Sequence, residues 1–311
     1  MSKATELNYL YLITYRREFK ELCALEMKYI FNSTDSDLYH FTNENIDIST
    51  STFFKARINI MYKSKHINDI ETQITKDKLT FHKYKIRYIK LDDTKYQERL
   101  SAMRICGTAI EGDFEIKNPL IDLALTRIEG EWVLGYYEPN PNEWISRRKK
   151  PFNYSHALEV KLAKSLVNLA TSSQKNLLLV DPCCGIGTVL IEARSNGITI
   201  DGFEMNSLVA EHCNVNLQHF NFNPDVRNMD MHNISNHYDV AIIDIPYGQF
   251  SNITLKEQIS LLKKTKEISN KAVILTMDDM TNEILELGYN ITDTCIIEKS
   301  NAFKRHIYIC K

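Results

Sequence analysis

At 311 residues, with 43% hydrophobic and 25% charged residues, the chain is longer than most single domains and has the composition of an ordinary folded protein, so two domains are expected rather than a disordered or fibrous chain. A formal net charge of −2 gives no bulk attraction for a polyanion, and any such partner has to be met by a local patch. Seven cysteines, odd in number and without a C-x-x-C pair, argue against a disulfide framework and a zinc site, and no apolar run approaches the roughly 20 residues of a spanning helix; a reduced, cytoplasmic protein with no membrane segment and no metal is expected.

The first half mixes short strands and helices. YLYLITY reads as a strand, EFKELCALEMKYIF as an amphipathic helix, KYKIRYIK as an alternating strand, and YQERLSAMRICG as a helix closed by Gly107. LIDLALTRIEGEWVLGYYE reads as a hairpin turning at Glu129-Gly130. In KYKIRYIK the cations Lys83, Lys85 and Arg87 share one face, opposite Tyr84, Ile86 and Tyr88, which suits either a phosphate-contacting face or a solvated strand. PNPNEWISRRKKP then carries prolines and four consecutive cations, Arg147, Arg148, Lys149 and Lys150, and the domain boundary is placed there: an N-terminal α+β region over 1–145 and a second domain over 146–311. Four adjacent cations beside a linker can meet a nucleic-acid backbone or simply solubilise it.

Beyond residue 151 the rhythm becomes strand, helix, strand, helix. Strands at Asn176–Val180, Thr199–Phe203, Val240–Asp244 and Lys271–Met277 are apolar on both faces, as strands of a helix-covered parallel sheet must be, so a doubly wound α/β sheet is expected. ITDTCIIEK and FKRHIYIC are too close together for a crossover helix and should pair antiparallel.

Three acids and a glycine turn stand where that sheet would end. NLLLVDPCCGIGTVLIEA leads from a strand through Asp181, Gly185 and Gly187 into a helix, a turn that lets a nucleoside cofactor approach the backbone; the third position of the dinucleotide fingerprint is Leu190. Glu204, at the end of ITIDGFEMN, can accept from both hydroxyls of a ribose, a spacing that suits NAD as well as S-adenosylmethionine. Asp230, in VRNMDMHN, lies at the level where an adenine amine could be bound, and reads otherwise as a solvated loop aspartate. Cys183 and Cys184 have neither a base nor ligand spacing beside them and read as small residues under the loop, and Glu192, His212, His219, His232 and His237 are given no role.

DPCCGIGT, GFEMN, NMD and DIPYG in this order resemble the class I S-adenosylmethionine-dependent amino-methyltransferases, and DPCCGIGTVLIEA with YSHALEVKLAKSLVNLA resembles most the THUMP-linked tRNA guanine-N2-methyltransferases that modify guanosine 10. The resemblance covers roughly residues 145–311. It implies a Rossmann-like methyltransferase domain with an antiparallel C-terminal strand, preceded by a THUMP-like RNA-binding region. It also implies S-adenosylmethionine held by Asp181, Cys183, Gly185, Gly187, Thr188, Glu204, Met205, Asp230, Met231 and Asp244, and structured RNA, tRNA first, as partner, with Arg147 to Lys150 on it. Asp244, Ile245, Pro246 and Tyr247 would present a base amine.

The chemistry explains these residue types. An exocyclic amine is a poor nucleophile because its lone pair is delocalised into the ring. A carboxylate at Asp244 and the Ile245 carbonyl can accept its two N–H bonds and aim the lone pair, Pro246 fixes the backbone, and Tyr247 can stack on the base. Ile245 departs from the family, where proline is usual; the carbonyl survives and the rigidity of the corner is what the change puts in question. The competing expectations are a DNA adenine or cytosine amino-methyltransferase, a protein glutamine methyltransferase, a noncatalytic RNA-binding module on the same fold, and an NAD-dependent dehydrogenase.

Overall fold

The computed structural model describes residues 8–33, 38–154, 157–172, 174, 176–246, 253–300 and 303–311. In chain order the elements are β1 (Tyr9–Ile13), α1 (Lys20–Phe31), β2 (Tyr39–Thr42), β3 (Phe54–Ser64), α2 (Ile67–Asp77), β4 (Thr80–Ile89), α3 (Tyr96–Ala109), β5 (Glu111–Phe114), β6 (Ile121–Ile128) and β7 (Glu131–Pro139). There follow α4 (Val160–Thr171), β8 (Leu178–Asp181), α5 (Thr188–Ser195), β9 (Thr199–Glu204), α6 (Ser207–His219), β10 (Arg227–Asn228), β11 (Tyr238–Asp244), α7 (Leu255–Ile268), β12 (Ser269–Thr276), α8 (Thr281–Glu286), β13 (Ile291–Ser300) and β14 (Phe303–Cys310). Contacts divide the chain into two units: Met1–Thr14, Asp35–Ser49 and Phe53–Pro141 form the first, and Tyr15–Thr34, Thr50–Thr52 and Asn142–Lys311 the second. Helix α1, which a single boundary at residue 145 would leave with the N-terminal region, therefore belongs to the second unit.

The first unit is an α+β layer. Its sheet runs β2-β1-β3-β7-β6-β4-β5, antiparallel except where β4 pairs with β5 and β6. The β6–β7 hairpin turns at Glu129 and Gly130, both with positive φ (52° and 83°), the backbone that a two-residue hairpin turn requires. The expected alternation of β4 is found: Tyr84 is buried with Ile86 and Tyr88 packed on the same core, while Arg87 and Lys85 lie on Asp122 of β6. Gly107 does not close α3, which continues to Ala109; the glycine lies against Ile86, and its carbonyl accepts from Tyr84 Oη at 2.9 Å.

The second unit has the expected doubly wound sheet, ordered β10-β9-β8-β11-β12-β14-β13. Every pair from β10 to β12 is parallel, and β14 inserts antiparallel between β12 and β13. The strand order reverses between β8 and β11, and in such sheets the ligand crevice lies outside the carboxyl ends of the strands at that switch point. Ile243, Ile245, Ile274 and Tyr308 pack with Leu262 of α7 and Ile284 of α8 in one cluster. The alternate residues Ile242, Val273 and Ile307 are equally buried, so the other face is covered as well, by α4. Helix α1 packs on α4 and β13: the fully buried Glu26 accepts from Asn168 Nδ2 at 2.8 Å, and Asp293 takes Lys28 and Tyr29 at 2.5 and 2.9 Å. No helix among the described residues is long and apolar enough to cross a membrane.

Candidate active site

Strand β8 delivers Asp181 to the carboxyl rim, and the loop from Cys183 to Gly187 folds back beneath β9. Cys184 N–H donates to the Phe203 carbonyl at 2.9 Å and Gly187 N–H to that of Cys184 at 2.9 Å, so the loop is fixed by backbone bonds before any ligand binds. Gly185 and Gly187 have φ of +52° and +82°, a region L side chains avoid. The two differ in surroundings. A Cβ at Gly187 would sit 2.4 Å from Cys213 Sγ, whereas one at Gly185 would meet nothing within 4 Å. Gly187 is thus required by packing, and Gly185 leaves open space at the rim. Leu190, in place of the third fingerprint glycine, is accommodated from the opposite side: a Cβ on Gly202 of β9 would lie 2.4 Å from Leu190 Cδ1. Close helix–strand approach is preserved with the glycine moved to the strand.

The acids converge on this loop. Glu204 at the end of β9 accepts from Gly185 N at 3.1 Å through Oε2 and from Asn206 N at 2.8 Å through Oε1. A carboxylate has about four lone-pair sites, so each oxygen retains capacity for a further donor. Asp181 is 4% exposed and its Oδ1 accepts from Cys183 N at 3.3 Å. Burial pushes its carboxyl up to about 8, the Cys183 N–H pulling the other way and the charges of Asp244 and Glu204 adding to the rise. Asp230 takes two bonds from His232, the backbone N–H at 2.9 Å and Nδ1 at 2.8 Å, which hold its carboxyl below the usual range; His232 Nε2 lies 2.9 Å from Ser260 Oγ. His232, to which the sequence pattern gave no role, orients Asp230. An Asp followed two residues later by His at a turn was the available signal.

Asp244 ends β11, level with Leu275 of β12, and Leu275 is in turn level with Ile307 of β14. Its Oδ1 is buried and has no hydrogen-bond partner among the described residues. Burial pushes the carboxyl up to about 6 against the lowering effect of Arg305. An orphaned buried carboxylate oxygen is costly unless a ligand completes it. Ile245 is 1% exposed, its side chain in the core, and its N–H donates to the Leu275 carbonyl at 2.9 Å. A proline here would forfeit that ladder bond, so the departure from the family exchanges ring rigidity for a hydrogen bond. The Pro246 carbonyl accepts from Gln258 Nε2 of α7 at 3.2 Å. Tyr247 lies outside the described residues.

Several other candidates are placed less simply. Met231 is buried with its Sδ 3.6 Å from Cys183 Sγ, and burial raises the Cys183 thiol. The Met205 side chain is 72% exposed, and its carbonyl takes Asn228 Nδ2 at 2.9 Å. Thr188, the first residue of α5, accepts from Lys150 Nζ at 2.7 Å. Of the four consecutive cations, Arg148 and Lys149 face solvent. Lys150 is turned inward, its amine pushed down to about 8 by burial. Arg147 grips the fully buried Glu192 with Nε and Nη2 at 2.7 and 2.9 Å. Of the four cations expected to form one nucleic-acid patch, only two are thus exposed, because a buried glutamate on an apolar helix has to be paired. Asn216 completes the brace: it holds Phe152 through both backbone groups and donates to the Ile186 carbonyl at 3.0 Å.

The rim therefore offers a glycine turn with open space, the carboxylates of Glu204 and Asp230, the buried acid Asp181 and one orphaned acceptor on Asp244, a set of acceptors suited to a ligand rich in hydroxyl and amine donors. Comparisons with known proteins agree with this reading at domain level. Residues 147–273 match the family model described as RMKL-like, methyltransferase domain. The tRNA (guanine(10)-N2)-dimethyltransferase of Methanothermobacter thermautotrophicus is 33% identical over 106 residues, 32% of this chain and 30% of that protein, so the match spans under a third of the relative's length. The crystal structure of TrmN from Thermus thermophilus aligns over 97% of this chain and 99% of its own with a TM-score of 0.50 at 11% identity, a likeness of fold.

Proposed function

We propose that this chain, whose residues 147–273 match the RMKL-like methyltransferase-domain model, transfers a methyl group from S-adenosylmethionine to an exocyclic base amine of RNA, guanine N2 of tRNA being the first target to test. The observation that carries the reading is Asp244: a buried carboxylate oxygen without a donor, at the carboxyl rim of the sheet and electrostatically coupled to the acid of the glycine turn. The similarity to the M. thermautotrophicus tRNA enzyme supports the choice of RNA and of guanine.

Asp181, Gly185, Gly187 and Glu204 would hold S-adenosylmethionine, with Asp230 and its partner His232 toward the adenine and Cys183, Thr188, Met205 and Met231 lining the loop. When bound, that cofactor supplies an electrophilic methyl group on a cationic sulfur. Glu204 suits the ribose of either cofactor, and what favours S-adenosylmethionine over a dinucleotide is the match of residues 147–273 to a methyltransferase-domain model. Asp244, ionised above about pH 6, accepts an N–H of the incoming amine and draws the nitrogen lone pair out of conjugation. The Ile245 carbonyl takes the second N–H, its orientation held by the ladder bond from Ile245 N–H and by the Pro246 ring. A nitrogen that gains a carbon must shed a proton, and Asp244 is the acid–base group at this corner. Tyr247 is assigned the stacking role by sequence alone.

The test is direct. Purified protein is incubated with a labelled methyl donor and tRNA transcripts, with plasmid DNA and a glutamine peptide as parallel substrates, and the RNA is digested to nucleosides. N2-methylated guanosine is expected, and label in DNA or peptide alone would sink the proposal. Asp244→Ala should abolish transfer, by at least about a hundredfold, while S-adenosylhomocysteine binding measured by calorimetry stays near that of the wild type. Equal loss of both would show the acid to be misassigned.

A further inference from the structure

One inward-turned cation beside the glycine turn has no part in the chemistry above. Lys150 lies on α5, and its Nζ donates to Thr188 Oγ1 at 2.7 Å. Thr188 is 4% exposed and is the first residue of the helix into which the turn leads. An ammonium carries three N–H donors, and the Thr188 hydroxyl is the one acceptor that Lys150 has among the described residues. Burial pushes the amine down to about 8, against the raising influence of Glu192 and Cys213. The charge also stands at the first turn of α5, where the helix dipole is positive and a cation is the disfavoured sign.

Glu192, one turn further along α5, is already neutralised. Its carboxylate is held by Arg147 through Nε and Nη2 at 2.7 and 2.9 Å, and Lys150 makes no ion pair with it. Arg147 and Glu192 cancel, which leaves Lys150 as a surplus charge. The segment that carries it is fastened to the glycine turn. Phe152 N–H donates to Asn216 Oδ1 at 2.9 Å, the Phe152 carbonyl accepts from Asn216 Nδ2 at 3.0 Å, and that Nδ2 also donates to the Ile186 carbonyl at 3.0 Å. The Phe152 ring stacks on His212, with centroids 3.8 Å apart and planes at 12°. A largely buried cation fixed in place without a counter-ion is costly until an anion joins it.

S-adenosylmethionine brings one anionic group, the α-carboxylate of its amino-acid end. Asp181, Glu204, Asp230 and Asp244 are acids, which suit its hydroxyls and amines and repel a carboxylate when ionised. Arg305, whose charge reaches Asp244, is on β14, beyond β12 from that acid, whereas Lys150 is on the glycine turn itself. We infer that Lys150 is the counter-ion of the cofactor carboxylate, with Thr188 steadying the ammonium and the first turn of α5 adding its positive end. This rests on the reading of the rim as an S-adenosylmethionine site. Neighbouring cations then divide the work: Arg147 neutralises an acid of the chain, and Lys150 neutralises one that the ligand carries.

The experiment is calorimetry of the full chain with two ligands: S-adenosylhomocysteine, and 5′-methylthioadenosine, which keeps the nucleoside and thioether and lacks the amino-acid end. Lys150→Gln keeps an N–H donor for Thr188 and removes the charge, Lys150→Arg keeps the charge, and Lys149→Gln is the exposed control. Lys150→Gln should lose about ten- to a hundredfold in affinity for S-adenosylhomocysteine and stay within about twofold of the wild type for 5′-methylthioadenosine. Lys150→Arg should recover most of the loss, and Lys149→Gln should match the wild type. Both affinities are read on one preparation, so partial unfolding lowers them alike and leaves their ratio unmoved. Equal loss for the two ligands, or an S-adenosylhomocysteine affinity that Lys150→Gln leaves unchanged, would overturn the inference while leaving the cofactor reading intact. A wild-type chain that binds neither ligand would instead overturn the reading on which it rests.

Discussion

On the proposed reading, Asp244 sets the pH dependence of methyl transfer. Its carboxyl is pushed up to about 6 by burial, so the proton leaves as pH rises through that value and the acceptor exists only above it. The rate should therefore fall as pH drops below about 6, with the limb visible in kcat/KM for RNA between pH 5 and 8. Asp244→Asn, which cannot titrate, should be slow at every pH and show no limb; an unchanged limb in that variant would assign it to another group. The position of Asp244 at a strand end was legible because an acid closes an apolar run before Ile-Pro-Tyr-Gly. The anchoring of Ile245 was not, since a ladder bond to Leu275 depends on a strand that follows 30 residues later.

The glycine loop separates two uses of the same residue type. Gly187→Ala meets both a positive φ and the Cys213 sulfur, so it should destabilise by more than the roughly 1–2 kcal/mol of a left-handed residue alone. Gly185→Ala meets only the backbone term and should cost about that much in stability, yet lose cofactor affinity. Denaturant melts and calorimetry on the two variants check the contrast. Arg147→Gln should destabilise by about 3–5 kcal/mol, since it leaves Glu192 buried and uncompensated, whereas Arg148→Gln should do so far less; chemical denaturation measures both. Four cations in a row looked alike in sequence because only the turn at 143–148 separates an inward Arg147 from an outward Arg148. Strands of the second unit were readable from continuous apolar runs. The long β3 was not, because a register irregularity between Ile60 and Tyr62 breaks its alternation. Gly107 misled for a related reason: a penalty near 1 kcal/mol for glycine in a helix is overridden by tertiary packing against Ile86 and Tyr84.

For the whole molecule, the instructive point is that the second unit is not contiguous. Residues 15–34 and 50–52 belong to it, and α1 buries Glu26 against Asn168 and ties Lys28 and Tyr29 to Asp293. A fragment of residues 146–311 should melt well below the full chain and bind a dye for exposed apolar surface, because the faces of α4 and β13 that α1 covers are left bare. A fragment as stable as the parent would show that α1 is dispensable. No periodicity in EFKELCALEMKYIF told which sheet its apolar side would cover, since amphipathicity specifies a face and not a partner. The pairing of Lys28 with Asp293 spans 265 residues. At ~5–20 residues per second of translation, helix α1 waits roughly 13 to 53 seconds for the strand that anchors it. Throughout that interval Leu22, Leu25 and Met27 have no finished surface to cover, so the nascent chain is open to holdase chaperones until its last hairpin is made.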